Sequence, residues 1–186
     1  MNYAIISDIH GYAKTLSDAL KWSDKFNCRH ILLLGDLIYH GPRNRIAEHL
    51  DPQGTIELLN ARKERIIAVR GNCDAEVDQM VLEFPVMSPV NILVSGDRRI
   101  VMHHGHRQDS LKLALTRGDL VLSGHTHVAC CSVTDGVTFF NPGSVSLPKK
   151  SPFGTMGVYR EREGTLLTVE VSSGRILETF ALPDMI

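Results

Sequence analysis

The chain has 186 residues, 20 Lys+Arg against 21 Asp+Glu, 43% hydrophobic residues, nine His and four Cys. That length suits one domain, residues 1–186, with a real core, and a net charge of −1 argues against a nucleic-acid-binding surface and against a polyacidic tail. No apolar run approaches the ~20 residues of a membrane helix. The opening MNYAIISDIHG carries no basic region and reads as a first strand rather than an export signal. Cys28, Cys73, Cys130 and Cys131 lack CxxC spacing, so they read as free thiols of a reducing, cytoplasmic compartment.

Strand-like and helix-like stretches alternate in the N-terminal half. Tyr3–Ser7 is a short apolar run, and residues 12–26 place Leu16, Ala19, Leu20 and Trp22 near helical spacing. His30–Leu34 is a second apolar run. Residues 41–54 read as a loop, Thr55–Lys63 as a helix and Arg65–Val69 as a third strand. Such alternation implies a buried parallel sheet. Beyond Pro85, Val90–Val94 and Arg99–Met102 read as a hairpin, with a further apolar run at Leu120–Ser123. Val137–Phe140, Met156–Arg160, Leu166–Val171 and Ile176–Phe180 read as short strands between glycine-containing turns, mostly antiparallel. One α/β domain with two stacked sheets fits this order.

The chemistry lies just past the strand ends. Asp8 and His10 come after the first, Asp36 after the second, Asn72 after the third, His103, His104 and His106 after the fifth apolar run, and His125 and His127 after the sixth. A glycine stands beside each group (Gly11, Gly35, Gly71, Gly105, Gly124), so the backbone can turn where ligands crowd. In α/β sheets the carboxyl ends of strands line the ligand crevice. A single Asp here would be a helix cap and a single His a packed residue, but the repetition points to a metal centre. Asp8, His10, Asp36, Asn72, His104, His125 and His127 are too many ligands for one tetrahedral zinc and suit two ions sharing a carboxylate. Imidazole and carboxylate without thiolate suit two divalent ions such as Mn²⁺, Fe²⁺, Zn²⁺ or Ni²⁺. Two carboxylates leave two such cations with surplus positive charge, which favours hydroxide and an anionic phosphate.

The blocks D-x-H-G (8–11), G-D-x-x-x-x-G (35–41), G-N-C-D (71–74), H-G-H (104–106) and G-H-T-H (124–127) resemble those of the calcineurin-like metallophosphoesterases. GDLIYHGPRN, AVRGNCDAEVDQM, GHTH and NPGSVSLPK are similar to the small bacterial phosphodiesterases of the YfcE type. The resemblance spans roughly residues 3–150 and implies a four-layer α/β/β/α sandwich with mixed sheets and a dinuclear site at the sheet edge. It implies one ion on Asp8, His10 and His127, with Asp36 bridging to a second on Asn72, His104 and His125. Of the pair His103–His104, His104 directly precedes Gly105 and is taken as the ligand, leaving His103 for the core.

The implied reaction is two-metal hydrolysis of a small phosphodiester, in which a water between the ions attacks phosphorus. The candidate catalytic residues are Asp36, Asn72, His40 and Cys73. Mn²⁺ is the expected metal. Arg43, Asn44 and His106 are candidate substrate contacts. His40 is a substrate contact or proton donor. Cys73 stands where the broader superfamily carries His, which points to activated or diester substrates, or to another acid such as His40 or His106. Loops 37–54 and 106–118 would set specificity, and residues 107–117 read as a short helical segment. The expected assembly is a homo-oligomer without nucleic acid or membrane. A ligand-depleted scaffold and a nuclease are the competing functions. The complete ligand set speaks against the first and the neutral charge against the second.

Overall fold

In the computed structural model, residues 1–44, 46, 48–107 and 113–183 are described. Strand β1 (Asn2–Ile6), helix α1 (Ala13–Lys25), β2 (Cys28–Leu33), α2 (Pro52–Asn60) and β3 (Ile66–Ala68) follow the expected alternation. The three strands pair in parallel, with Ile5 opposite Leu32 and Leu33 opposite Ala68. Helix α1 buries Leu16, Ala19, Leu20 and Ser23, one face at 3–4-residue spacing. It stops at Phe26, and Asn27 then takes a left-handed φ of 52°. Helix α2 starts earlier than its apolar residues suggest, because Asp51 caps it by accepting from Gly54 N–H at 2.9 Å and Pro52 opens its first turn.

The remaining elements are α3 (Glu76–Val81), β4 (Val90–Ser95), β5 (Arg98–His103), β6 (Leu120–Leu122), β7 (Ala129–Thr134), β8 (Val137–Pro142), β9 (Thr155–Arg160), β10 (Thr165–Glu170) and β11 (Ile176–Ala181). A six-stranded sheet has the order β11-β10-β9-β1-β2-β3 and a five-stranded sheet the order β4-β5-β6-β8-β7. Both are mixed, as expected. The second half is less antiparallel than its sequence suggests, because β6 pairs in parallel with both β5 and β8. Only three residues long and fully buried, β6 carries no alternation from which its direction could be read.

Side chains alternate between two cores. Ala4, Ile6, Ile31 and Leu33 face Leu16, Leu20 and Leu59 of the helices. Tyr3, Ile5, Leu32 and Leu34 face Ile100, Met102, Leu120, Leu122 and Phe140 across the gap between the sheets. On the outer face of the second sheet, Val101, Val121 and Val137 pack with Leu113, Leu115 and Phe139. The helical expectation for 107–117 falls partly outside the described residues, at 108–112, and residues 113–116 are not helical. Helix layer, sheet and sheet thus stack in the expected α/β sandwich, and every strand that ends in a candidate ligand runs into the same gap.

Candidate metal centre

Seven described non-glycine residues have positive φ, and five of them are candidate ligands: Asp8 (55°), His10 (52°), Asp36 (56°), His125 (69°) and His127 (59°). Left-handed backbone costs an L-residue roughly 1–2 kcal/mol, so the surrounding structure must hold these conformations. Hydrogen bonds between loops do so. Asp8 N–H donates to Gly35 O at 3.1 Å and His10 N–H to Asp36 O at 3.0 Å, which locks the β1 loop to the β2 loop. Asp74 accepts from the backbone N–H groups of Asp36 (2.9 Å), Leu37 (2.8 Å) and Gly71 (2.7 Å), which locks the β2 loop to the β3 loop. Ser144 Oγ donates to Asp8 O at 2.7 Å. A Cβ at Gly71 would collide with the Asp36 carboxylate, and one at Gly124 with Ser7 Oγ.

The imidazoles are oriented by the main chain. His10 Nδ1–H donates to Tyr39 O at 2.8 Å, His104 Nδ1–H to Leu34 O at 2.6 Å and His127 Nδ1–H to Leu147 O at 2.7 Å. A carbonyl can only accept, so each Nδ1 carries the proton and each Nε2 is turned inward as a lone pair or a second N–H. His10 Nε2 and His127 Nε2 face each other at 3.3 Å. Asp8 Oδ1 is buried, takes no hydrogen bond, and lies 3.2 Å from His127 Nε2. Burial lowers the His10 pKa and keeps that ring neutral. The His10 Nε2, the His127 Nε2 and the Asp8 carboxylate oxygen thus converge across a short gap, with donor types and spacing that suit a cation.

The second half of the centre is built on Asp36. Its Oδ1 accepts from Cys73 N–H at 2.7 Å, while Oδ2 lies 3.4 Å from His104 Nε2 and 3.7 Å from His10 Nε2. One carboxylate oxygen thus faces both histidine sets. Burial raises the Asp36 pKa, but the hydrogen bond and charge of His104 and the Cys73 N–H outweigh it and hold the group below the usual carboxylate range. Burial lowers His104, yet the Asp36 carboxylate overcomes it and pushes the imidazole up to about 9. Asn72 Oδ1 lies 3.1 Å from His104 Nε2, with its amide turned that way by donation to Cys73 Sγ at 3.2 Å. The His125 ring stands edge-on to His104 at 5.2 Å, and its backbone N–H donates to Asp8 Oδ2 at 3.0 Å. Groups with metal-ligand spacing are Asp8–His10–His127, Asp8–Asp36–His104 and His10–Asp36–Cys73.

The other candidates fall at graded distances. Arg43, Asn44, Asn72, Cys73 and Lys149 line an open cleft of about 830 Å³ over the centre, together with His10, Asp36, His125 and His127. The Cys73 thiol is pushed up to about 12, first by burial and then by Asp36, so it stays neutral, well above the ordinary thiol range its place in the sequence suggests. Asn44 spends its amide on His40 O at 2.6 Å. His40 packs edge-on against Tyr39 and lines a smaller cavity rather than this cleft. His106 is exposed, with its ring 5.3 Å from that of His104. His103 is buried, as expected. Asp74, Ser144 and Lys149 escape a search of strand ends for ligands. The first two act by holding backbone groups distant in sequence, and their only sequence signal is membership of the GNCD and NPGS stretches.

Residues 1–164 match the calcineurin-like phosphoesterase superfamily domain. The chain belongs to that superfamily. It is 39% identical over 150 residues to phosphodiesterase YfcE of Escherichia coli K12, covering 80% of this chain and 82% of that protein. The YfcE structure, described as that of a phosphoesterase, superimposes with a TM-score of 0.92 at 34% identity, covering 98% of this chain and all of the other (100%). The probable metallophosphoesterase YsnB of Bacillus subtilis is 27% identical over 178 residues, covering 91% and 85% of the two chains. Vacuolar protein sorting 29 from Cryptosporidium parvum shares the fold, with a TM-score of 0.64, 16% identity and 97% coverage of both chains. The phosphoesterase carries no helix, among its described residues, long and apolar enough to cross a membrane.

Proposed function

We propose that this phosphoesterase hydrolyses small phosphodiesters with two divalent ions, Mn²⁺ being the best fit, in a reducing cytoplasmic compartment. The observation that carries this is the convergence of His10 Nε2 on His127 Nε2 at 3.3 Å, with the buried Asp8 Oδ1, which takes no hydrogen bond, beside them. Asp8, His10, His127 and Asp36 would hold one ion, and Asp36, Asn72, His104 and His125 the other. Asp36 would be shared between them, since its Oδ2 faces both His10 and His104. Nitrogen and oxygen donors, with the one nearby thiol protonated, suit Mn²⁺. Bound there, the ions supply an acidified water as nucleophile and positive charge against the phosphoryl oxygens.

The chain's own groups do the rest. Asp8 and Asp36 are held by Ser7, His125 and Cys73 donors, so their free oxygens stay aimed at the centre. Arg43 and Lys149 bring two cations to the cleft to receive phosphate oxygens. The neutral Cys73 adds no charge for a dianionic monoester and no base, which favours the singly charged diester. The name of the E. coli relative, a phosphodiesterase, supports the same substrate class, and four free cysteines support the compartment. The test is turnover of p-nitrophenyl phenyl phosphate against p-nitrophenyl phosphate by the Mn²⁺-loaded protein. Chelator-sensitive hydrolysis that favours the diester is expected. No chelator-sensitive turnover of either would sink the proposal.

A further inference from the structure

The cleft over the metal centre has a side branch. A cavity of about 270 Å³ adjoins it, walled by Ile38, Tyr39, Pro52, Cys73, Ala75 and Val77. Tyr39, Cys73 and Ala75 line both spaces, so the cavity opens beside the cleft and an organic group attached to a phosphate there lies next to it. The two junction residues on the α3 side, Cys73 and Ala75, are small, and a larger side chain at either would narrow the passage. The opposite wall is fixed to the chemistry, since Tyr39 O accepts from His10 Nδ1–H at 2.8 Å.

The character of the branch is apolar. Its remaining polar lining is Asp78, whose carboxylate accepts from Ala75 N–H at 2.7 Å, and His40, whose ring stands edge-on to Tyr39. Tyr39 and Val77 stay 44% and 64% exposed, apolar surface beside a charged cleft that nothing among the described residues covers. An apolar cavity of about 150 Å³ is enough for benzene, so this one has room for a substituted ring. A diester carries two organic arms and a monoester only one, so a second organic site beside the phosphate is of most use to a diesterase.

We infer that this side cavity binds a ring-bearing apolar arm of the phosphodiester, with Tyr39 and Val77 as its walls and Cys73 and Ala75 as its entrance. This rests on the proposed phosphodiesterase function, but binding can be read apart from turnover. Benzylphosphonate and methylphosphonate, neither of which can be hydrolysed, are titrated calorimetrically into the Mn²⁺-loaded protein. Benzylphosphonate is expected to bind at least about tenfold more tightly, a gain within reach of burying one ring. In V77W and in A75L, each enlarging the wall, the ratio of the two affinities is expected to fall to within about twofold of one. Two variants guard against misfolding of either. Equal affinity in the wild-type protein, a preference retained in both folded variants, or binding of neither phosphonate overturns the inference. A preference that behaves as expected in a protein without diester turnover keeps the cavity and removes the hydrolase.

Discussion

Three backbone N–H groups from two loops converge on the Asp74 carboxylate, and one belongs to Asp36, the residue that faces both halves of the centre. An Asn amide at this position keeps one acceptor oxygen and sets an NH₂ against a backbone donor. Asp74→Asn is therefore expected to cost about 1–3 kcal/mol of stability and to lower kcat/KM at least tenfold, checked by urea melts and steady-state kinetics. The sequence shows Asp74 only as a neighbour of Asn72, because an acceptor of N–H groups some 37 residues away leaves no spacing signal. The candidate ligands are legible, since each lies just past an apolar run. A second residue-scale prediction concerns Cys28, buried at the start of β2, whose thiol burial pushes up to about 12. The unfolded chain releases this proton near pH 9, and the native state holds it until about 12. Unfolding is thus favoured progressively as pH rises through that window, by on the order of 2–4 kcal/mol at its top. Cys28→Val is expected to flatten the fall of Tm between pH 9 and 11. An unchanged slope would remove the thiol as its cause.

At the scale of elements, the centre depends on loops that close on one another where a side chain would not fit. A Cβ at Gly124, after β6, would run into Ser7 Oγ and the Asp8 carboxylate. Gly124→Ala is expected to drive Asp8 from its position and weaken metal binding at least tenfold by calorimetry, while circular dichroism retains the sheet signal. Two elements were not legible in the sequence. Helix α3 has six residues, too few to show a helical period, and it is started by Asp78 accepting from Ala75 N–H. Strand β7 reads ACCSVT and lies at a sheet edge with mostly exposed side chains, so no hydrophobic alternation marks it. The Asp135–Gly136 turn, with φ of 53° and 79°, pairs it to β8.

On the scale of the whole molecule, two sheets bring together residues as far apart as Asp8 and His127. Ions held by these residues would bind the native chain and not the unfolded one, so they would add to its stability as well as to its chemistry. The sandwich was legible because β1, β2 and β3 are apolar runs separated by helices. The parallel insertion of β6 was not, because pairing across a long connection depends on the inter-sheet core of Leu120, Leu122 and Phe140 and not on local pattern. The central claim, a dinuclear hydrolytic centre bridged by Asp36, is tested most directly by titrating Mn²⁺ into chelator-stripped protein while diester turnover is followed. Two ions per chain are expected, with turnover appearing only as the second binds, and Asp36→Asn retaining at most one ion and losing at least about 10³-fold in kcat. Full turnover with one ion per chain, or in the presence of excess chelator, would contradict it.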